Sequence, residues 1–487
     1  MTAHGHDSRT GADIRAKLDH PVVDADGHMM ECSFAVLDFL KQTAGTKIAK
    51  RYEDMLKNDE TASSRRAAWV GNSGSASMDR ATSLLPRLFR KRMDDAGIDF
   101  AVIYGTQALS VLAITDDEMR PAVYRAMNML YADMFKDMQD RLTPVALIPM
   151  HKPEEAIAEL EYAIGELGLK SIVMNTMIRR PAPEVVKEAP HLAKYCMDVL
   201  SPAIDMGDAY DPVWAKCVEL GVAPSCHNSF RGRGSTHGSP SNYVFNSLGS
   251  FGQGSEYFCR ALFFGGVPHR FPKLKFAFLE GGAGWASQLY NSLFEYWEKR
   301  NLKALKETLD PAALDVDLLV EMFEEYGNDY LTPERIRKEP HQCVTSNNLF
   351  VAPEEMDDFK PTGVKKGEDI RDIFQRNFYF GCEADDRLNA VAFDTRLNHY
   401  GLKLNAILGS DIGHWDVPDM TKVMVEAHEM LEDGFITEDD FRNFTFGNVV
   451  RMHTGMNPDF FKGTVVEKQV DKLLGGGNGS SATVAAE

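Results

Sequence analysis

Short runs of β-branched and apolar residues alternate along the chain with stretches of helical period, the pattern of parallel strands joined by helical crossovers. Eight such runs stand out: PVVDADGHMME (21–31), DFAVIYGT (99–106), RLTPVALIPMH (141–151), LKSIVMNT (169–176), GVAPSCHN (221–228), KLKFAFLEGG (273–282), NFYFGCEADD (377–386) and NAILGSDIGHWD (405–416). Most are followed by amphipathic segments, such as PEEAIAELEYAIGELG after the third and GWASQLYNSLFEYWEKR after the sixth. A count of eight predicts an α/β fold, a closed (β/α)8 barrel of TIM type over residues 21–465. An open doubly wound sheet is the alternative, but the GxGxxG turn that such a sheet carries after its first strand is missing.

Three stretches, near 32–84, 229–256 and 301–376, are too long for ordinary βα loops and read as insertions. The second is rich in Gly and Ser and is expected to lie over the barrel mouth. Residues 1–20 and 466–487, the latter ending in GGGNGSSATVAAE, are expected to be flexible tails.

Composition narrows the partners. The 487 residues are 44% hydrophobic and 26% charged, enough to bury a large core. Acidic residues outnumber basic ones by 72 to 53, a formal charge of −19, and no basic cluster is dense enough to track a nucleic acid backbone. No apolar run approaches the roughly 20 residues of a membrane span, and the N-terminus lacks an apolar signal segment, so a cytoplasmic location is expected. The seven cysteines are odd in number and show no CxxC pair, which reads as reduced thiols without a structural zinc site.

In such a barrel the chemistry sits at the C-terminal strand ends, and these ends are unusually polar. The first ends in Asp24-Ala-Asp26-Gly-His28-Met-Met-Glu31, the third in His151, the fourth in Asn175 and the fifth in Cys226-His227-Asn228. The sixth ends in Glu280, the seventh in Glu383 and the eighth in Asp411-Ile-Gly-His414-Trp-Asp416. Strand side chains alternate faces, so Asp26 and His28 point the same way and can share one cation, while Asp24 lies deeper as a buried structural partner. A single strand-end histidine is more often structural than functional. Histidines and carboxylates recurring at four strand ends reverse that reading.

DADGHMME, the CHN of the fifth run, FAFLEGG and GSDIGHWD resemble the amidohydrolase-related family, and the resemblance extends over roughly residues 20–465. It implies Asp26, His28, His227 and Asp411 as metal ligands. Two positions depart from the commoner pattern: the first-strand pair is Asp26-x-His28 in place of His-x-His, and Glu280 stands where the sixth strand usually carries His. Carboxylate-rich sites suit harder, redox-capable ions, so Fe and Mn are expected before Zn. Glu31, His151 and His414 are candidates to complete a second ion position, and Asp26, Glu31, Glu280 and Asp411 would supply the negative charge for two divalent ions. Each also has a structural alternative: Glu31 as a helix cap, Glu280 as the holder of the Gly281-Gly282 turn, His414 packed on Trp415.

Two reactions use such a centre. In hydrolysis, Glu280 or Asp411 takes the proton of an activated water; nonoxidative decarboxylation is related. In the oxidative alternative, a reduced Fe/Mn or Fe/Fe pair uses O2 to hydroxylate an unactivated C–H bond. The carboxylate shift favours the second. The long Asp-x-His version with its large insertions is similar to the metal-bearing larger subunits of two-component monooxygenases, which implies hydroxylation of a small amino acid such as 2-aminoisobutyrate and a smaller partner subunit of the same fold. A non-catalytic barrel subunit is the remaining reading. Tyr104, Asn175 and Arg231 are candidate substrate contacts.

Overall fold

Eight parallel strands form the centre of the computed structural model, which describes residues 8–57, 69–227, 239, 241–341 and 351–475. They are β1 (Val23–Met29), β2 (Phe100–Gly105), β3 (Leu142–Ile148), β4 (Ser171–Met174), β5 (Pro224–Cys226), β6 (Phe276–Phe278), β7 (Phe378–Glu383) and β8 (Asn405–Gly409). Each lies inside one of the eight apolar runs, and they pair in chain order from β1 to β8. The ring closes where Asp411 donates its backbone N–H to Asp26 O (3.0 Å) and His28 donates to Ile412 O (3.0 Å). Gly409 permits this approach, because a Cβ there would lie 2.9 Å from Asp26 Cβ.

Every residue of β1, β2 and β3 is buried. Strands covered on both faces carry continuous apolar runs for that reason. Aromatic rings fill the space around β6 and β7: Phe278 stacks on Phe380 at 5.9 Å, and Trp214 meets Phe276 edge-on at 5.8 Å.

The insertions differ in what they do. In 32–84, the helix Ser33–Lys57 packs on the helix Met119–Phe135, and Ser83 O accepts the N–H of Met30 just beyond β1 (2.9 Å). Most of the loop at 229–256 up to residue 240 falls outside the described residues. Its remainder folds into the helices Tyr243–Ser247 and Ser250–Phe264. The stretch 301–376 contains a helical hairpin, Val316–Tyr326 and Pro333–Lys338, before the helix Gly367–Asn377 leads into β7.

The expected tails are shorter than their polar composition implied. Gly11–Arg15 is a helix with Ile14 fully buried, and Arg15 Nε bonds Asp99 Oδ2 at 2.5 Å. At the other end Glu467–Gly475 is helical, with Val470 buried. Single apolar anchors seat these segments. No described helix is long and apolar enough to cross a membrane. The six described cysteines form no disulfide.

Candidate metal centre

Six side chains from four strand ends converge at the mouth. Among the described residues two overlapping groups have potential ligand atoms within 4.8 Å of one another: Asp26, His28 and His227, and His28, Glu280, Asp411 and His414. His28 belongs to both. Its Nε2 lies 3.1 Å from His227 Nε2, 3.3 Å from Asp26 Oδ1 and 3.3 Å from Asp411 Oδ1. His227 Nε2 is 3.5 Å from Asp26 Oδ1 and 3.3 Å from Glu280 Oε2, and His414 Nδ1 is 2.5 Å from Asp411 Oδ1.

These spacings fit a shared cation. With metal–ligand bonds of about 2.1 Å, neighbouring ligand atoms stand about 3.0 Å apart in octahedral and about 3.4 Å apart in tetrahedral geometry. The chain itself leaves the donors unused: Asp26 Oδ1 and both Asp411 oxygens are buried without a well-formed hydrogen bond. Unmatched buried carboxylate oxygens are costly, and a cation is the natural match for several of them at once.

Two of the candidate ligands sit in strained backbone. Glu280 has φ 56° and Asp411 φ 49°, the left-handed region that non-glycine residues rarely adopt. Each such conformation costs on the order of 1–3 kcal/mol and persists only where its surroundings hold it. For Asp411 the ring-closing bonds to β1 do this. For Glu280 the flanking bonds Leu279 N→Cys226 O (3.0 Å) and Gly282 N→Gly381 O (3.1 Å) do.

Ring packing orients the histidines. His28 lies 4.0 Å from His414 and 6.0 Å from Tyr104, and His227 meets Phe251 edge-on at 5.3 Å. His414 Nε2 also bonds Thr106 Oγ1 at 3.0 Å. Its ring therefore turns into the site, and Trp415 packs on Tyr243 instead.

Charge within the cluster is uneven. Burial pushes the Asp26 carboxyl up, but the imidazoles of His227 and His28 outweigh it and hold it well below the usual range. Burial pushes Asp411 strongly up, and the carboxylates of Glu280 and Asp416 add to the effect. Burial, followed by Asp416, Asp385 and Asp386, raises Glu383 to about 8. A small cleft lined by Glu383, Asp385, Asp411, Asp416 and Glu426 opens beside Asp411.

Asp24 is raised to about 7 by burial and accepts from Ser410 Oγ (2.6 Å), Ser410 N (2.9 Å) and Asp26 N (3.1 Å). It ties β1 to the segment after β8, the structural role its depth implied.

Two residues expected at a second ion position do not join either group. Glu31 accepts the N–H groups of Gln107 (2.8 Å) and Ala108 (3.1 Å) and the hydroxyl of Tyr131 (2.5 Å). It caps a helix, but Thr106–Val111 rather than the helix that follows it in sequence. His151 is buried, with neither ring nitrogen hydrogen-bonded, and burial, Arg120 and Arg180 lower its pKa to about 4. Beside these guanidinium groups it is poorly placed to receive another cation.

Of the expected substrate contacts, Tyr104 lies against His28 and His227. Asn175 is occupied structurally, donating to Leu112 O (2.7 Å) and accepting from Met177 N (3.1 Å). Arg231 lies outside the described residues. Sequence reasoning did not reach Thr106, although its place at the end of β2, like the other strand ends, was the available signal.

The family model described as amidohydrolase matches residues 77–329, a little over half of the sequence. The chain belongs to the amidohydrolase family. Among solved structures, 2,6-dihydroxybenzoate decarboxylase from Rhizobium superposes with a TM-score of 0.51 at 13% identity, covering 89% of this chain and 99% of that one. An amidohydrolase from Mycobacterium avium subsp. paratuberculosis K-10 superposes with a TM-score of 0.52 at 16% identity, covering 90% and 100%. At such identities these likenesses establish the shared barrel. No curated protein matches the sequence.

Proposed function

We propose that this family member is a divalent-metal-dependent enzyme that cleaves a C–C or C–N bond of a small molecule without an external oxidant, by decarboxylation or hydrolysis. The observation that carries this reading is the convergence of Asp26, His28, His227, Glu280, Asp411 and His414 at the barrel mouth, where buried carboxylate oxygens of Asp26 and Asp411 are left without a hydrogen bond from the chain. Asp26, His28 and His227 would hold one ion, and Glu280, Asp411 and His414 would supply the further donors on the other side of His28. Bound ions would supply Lewis acidity and activate water or polarise a carbonyl.

The chain's own residues then divide the work. Asp411 accepts and returns a proton at its carboxylate, with Glu280 beside it as the alternative acceptor. Tyr104 lies beside the imidazoles of His28 and His227. The carboxylate-lined cleft next to Asp411 connects it towards solvent. The fold shared with a decarboxylase, also solved in complex with 2,6-dihydroxybenzoate, supports the nonoxidative reading at the level of architecture.

A second reading rests on one feature, the three carboxylates in a six-residue cluster. That donor set suits Fe or Mn more than Zn and so favours O2-dependent hydroxylation, for instance of a small amino acid. One experiment separates the two: the protein is loaded with Zn, Mn or Fe and assayed against a panel of aromatic carboxylates, amides and small amino acids with and without O2. Turnover that persists under strict anaerobiosis with Zn or Mn supports the nonoxidative enzyme. Turnover that requires O2 and Fe overturns it in favour of the hydroxylase.

A further inference from the structure

Five carboxylates line the narrow cleft beside the candidate metal centre: Glu383 and Asp385 at and just after the end of β7, Asp411 and Asp416 in the turn after β8, and Glu426 on the helix Val423–Glu432. Among the described residues no Lys, Arg or His lines it. Their exposure falls in order. Asp385 and Asp416 are exposed, Glu383 and Glu426 are half-buried, and Asp411 is only 4% exposed. The Asp416 side chain reaches the Asp411 carboxyl, so the series leads from solvent to a candidate ligand. At that inner end neither Asp411 oxygen has a well-formed hydrogen bond from the chain. A buried carboxylate left in that state calls for a partner that the chain does not supply.

Size excludes the substrate from this route. The cleft has a volume of about 20 Å³, room for a single water-sized particle. Pockets for small organic molecules span roughly 300–1,000 Å³. What can enter is a water, a proton or a monatomic ion, and charge selects among them. A cleft lined by one sign of charge concentrates the opposite ion and speeds its arrival by about 10–1,000-fold. Carboxylate oxygens are also the ligands that replace water around hard divalent cations. Neutral water gains nothing from such a field.

We propose that this cleft is the loading path of the centre: divalent cations exchange their water for the carboxylates of Asp385, Asp416, Glu383 and Glu426 on the way to Asp411, by a route separate from the substrate's. The proposal rests on the metal-dependent reading above.

Uptake kinetics of the full chain test this. Apoprotein is mixed rapidly with Mn(II), loss of the free-ion signal is followed by electron paramagnetic resonance, release is followed after addition of excess chelator, and affinity is read by calorimetry. Asp385→Asn/Glu426→Gln removes two charges without touching a candidate ligand. Uptake and release are each expected to slow about tenfold, with affinity within about threefold of wild type, because a passage crossed in both directions sets rates and not the equilibrium. Asp385→Lys, at an exposed position, is expected to slow both further. Glu324→Gln/Glu325→Gln, which removes the same charge from an exposed helix outside the cleft, is expected to stay within about twofold of wild type. Uptake within about twofold of wild type in both cleft variants leaves the passage to water or protons and overturns the proposal. So does weakened affinity with accelerated release, which makes these carboxylates ligands, and so does equal slowing in the variant outside the cleft, which makes the effect one of net charge. A wild type that binds no Mn(II) overturns the metal reading itself, whereas normal binding with unchanged rates in the variants overturns the loading path alone.

Discussion

Thr106→Val isolates one hydrogen bond of the proposed centre. His414 presents Nδ1 to Asp411 Oδ1 at 2.5 Å and Nε2 to Thr106 Oγ1 at 3.0 Å. If Nδ1 is to give its lone pair to an ion, the ring proton must reside on Nε2, and Thr106 is its acceptor. Thr106 is held in turn by the helix start whose Gln107 and Ala108 N–H groups bond Glu31. Valine keeps the shape of the side chain and removes only the acceptor. Losing such an outer partner costs about 10–100-fold in metal affinity, or about 1.4–2.7 kcal/mol, and leaving a buried N–H unmatched costs a similar 1–3 kcal/mol. Calorimetric titration of the purified apoprotein with Mn or Zn at pH 7 reads this directly. The expected result is weakening of one binding event for Thr106→Val and affinity within about threefold of wild type for Thr106→Ser, which keeps the hydroxyl. Unchanged affinity in the valine variant, or a serine variant as weak as valine, would refute the tautomer argument.

Three further outcomes are expected. Asp411→Asn should lower turnover by about 100-fold or more through loss of a proton acceptor; activity within about tenfold of wild type would remove Asp411 from that role. Arg120 is fully buried and bonds Glu155 (2.9 Å) and Asp117 (2.6 Å), two carboxylates that reach solvent and also pair with Lys152, so Arg120→Met should destabilise the fold by about 1–3 kcal/mol in urea unfolding; a loss below about 0.5 kcal/mol contradicts this account. His453, stacked on Phe460 at 4.0 Å, is lowered to about 3 by burial. The unfolded chain binds this proton near pH 6.5, so the neutral ring's contribution is complete above that pH and is lost as pH falls towards 3. Between pH 7.5 and 5 the loss is about 2 kcal/mol. His453→Phe should remove that part of the acid sensitivity, and an identical pH slope in both proteins would count against it.

Local pattern was enough to determine the barrel and to nominate all six residues that converge at its mouth. Strand period places Asp26 and His28 on one face, and the polar ends of β5, β6 and β8 announce His227, Glu280 and Asp411, because strand ends in a parallel barrel share one mouth. What each group does there depends on neighbours distant in sequence. Glu31 follows the Asp-x-His pair yet turns away, since the helix start at Gln107 and the hydroxyl of Tyr131 satisfy its carboxylate. His151 shares the strand-end position of the candidate ligands, but Arg120 and Arg180 beside it make its surroundings cationic. Thr106 is marked locally only by its place at the end of β2; the closed ring brings it against the His414 turn. The left-handed backbones of Glu280 and Asp411 are likewise set by cross-strand bonds that no local preference favours. Periodicity along the chain carries which residues face inward, whereas hydrogen-bond partners, charge environment and strain arise from contacts among segments hundreds of residues apart, and those exist only once the barrel has closed.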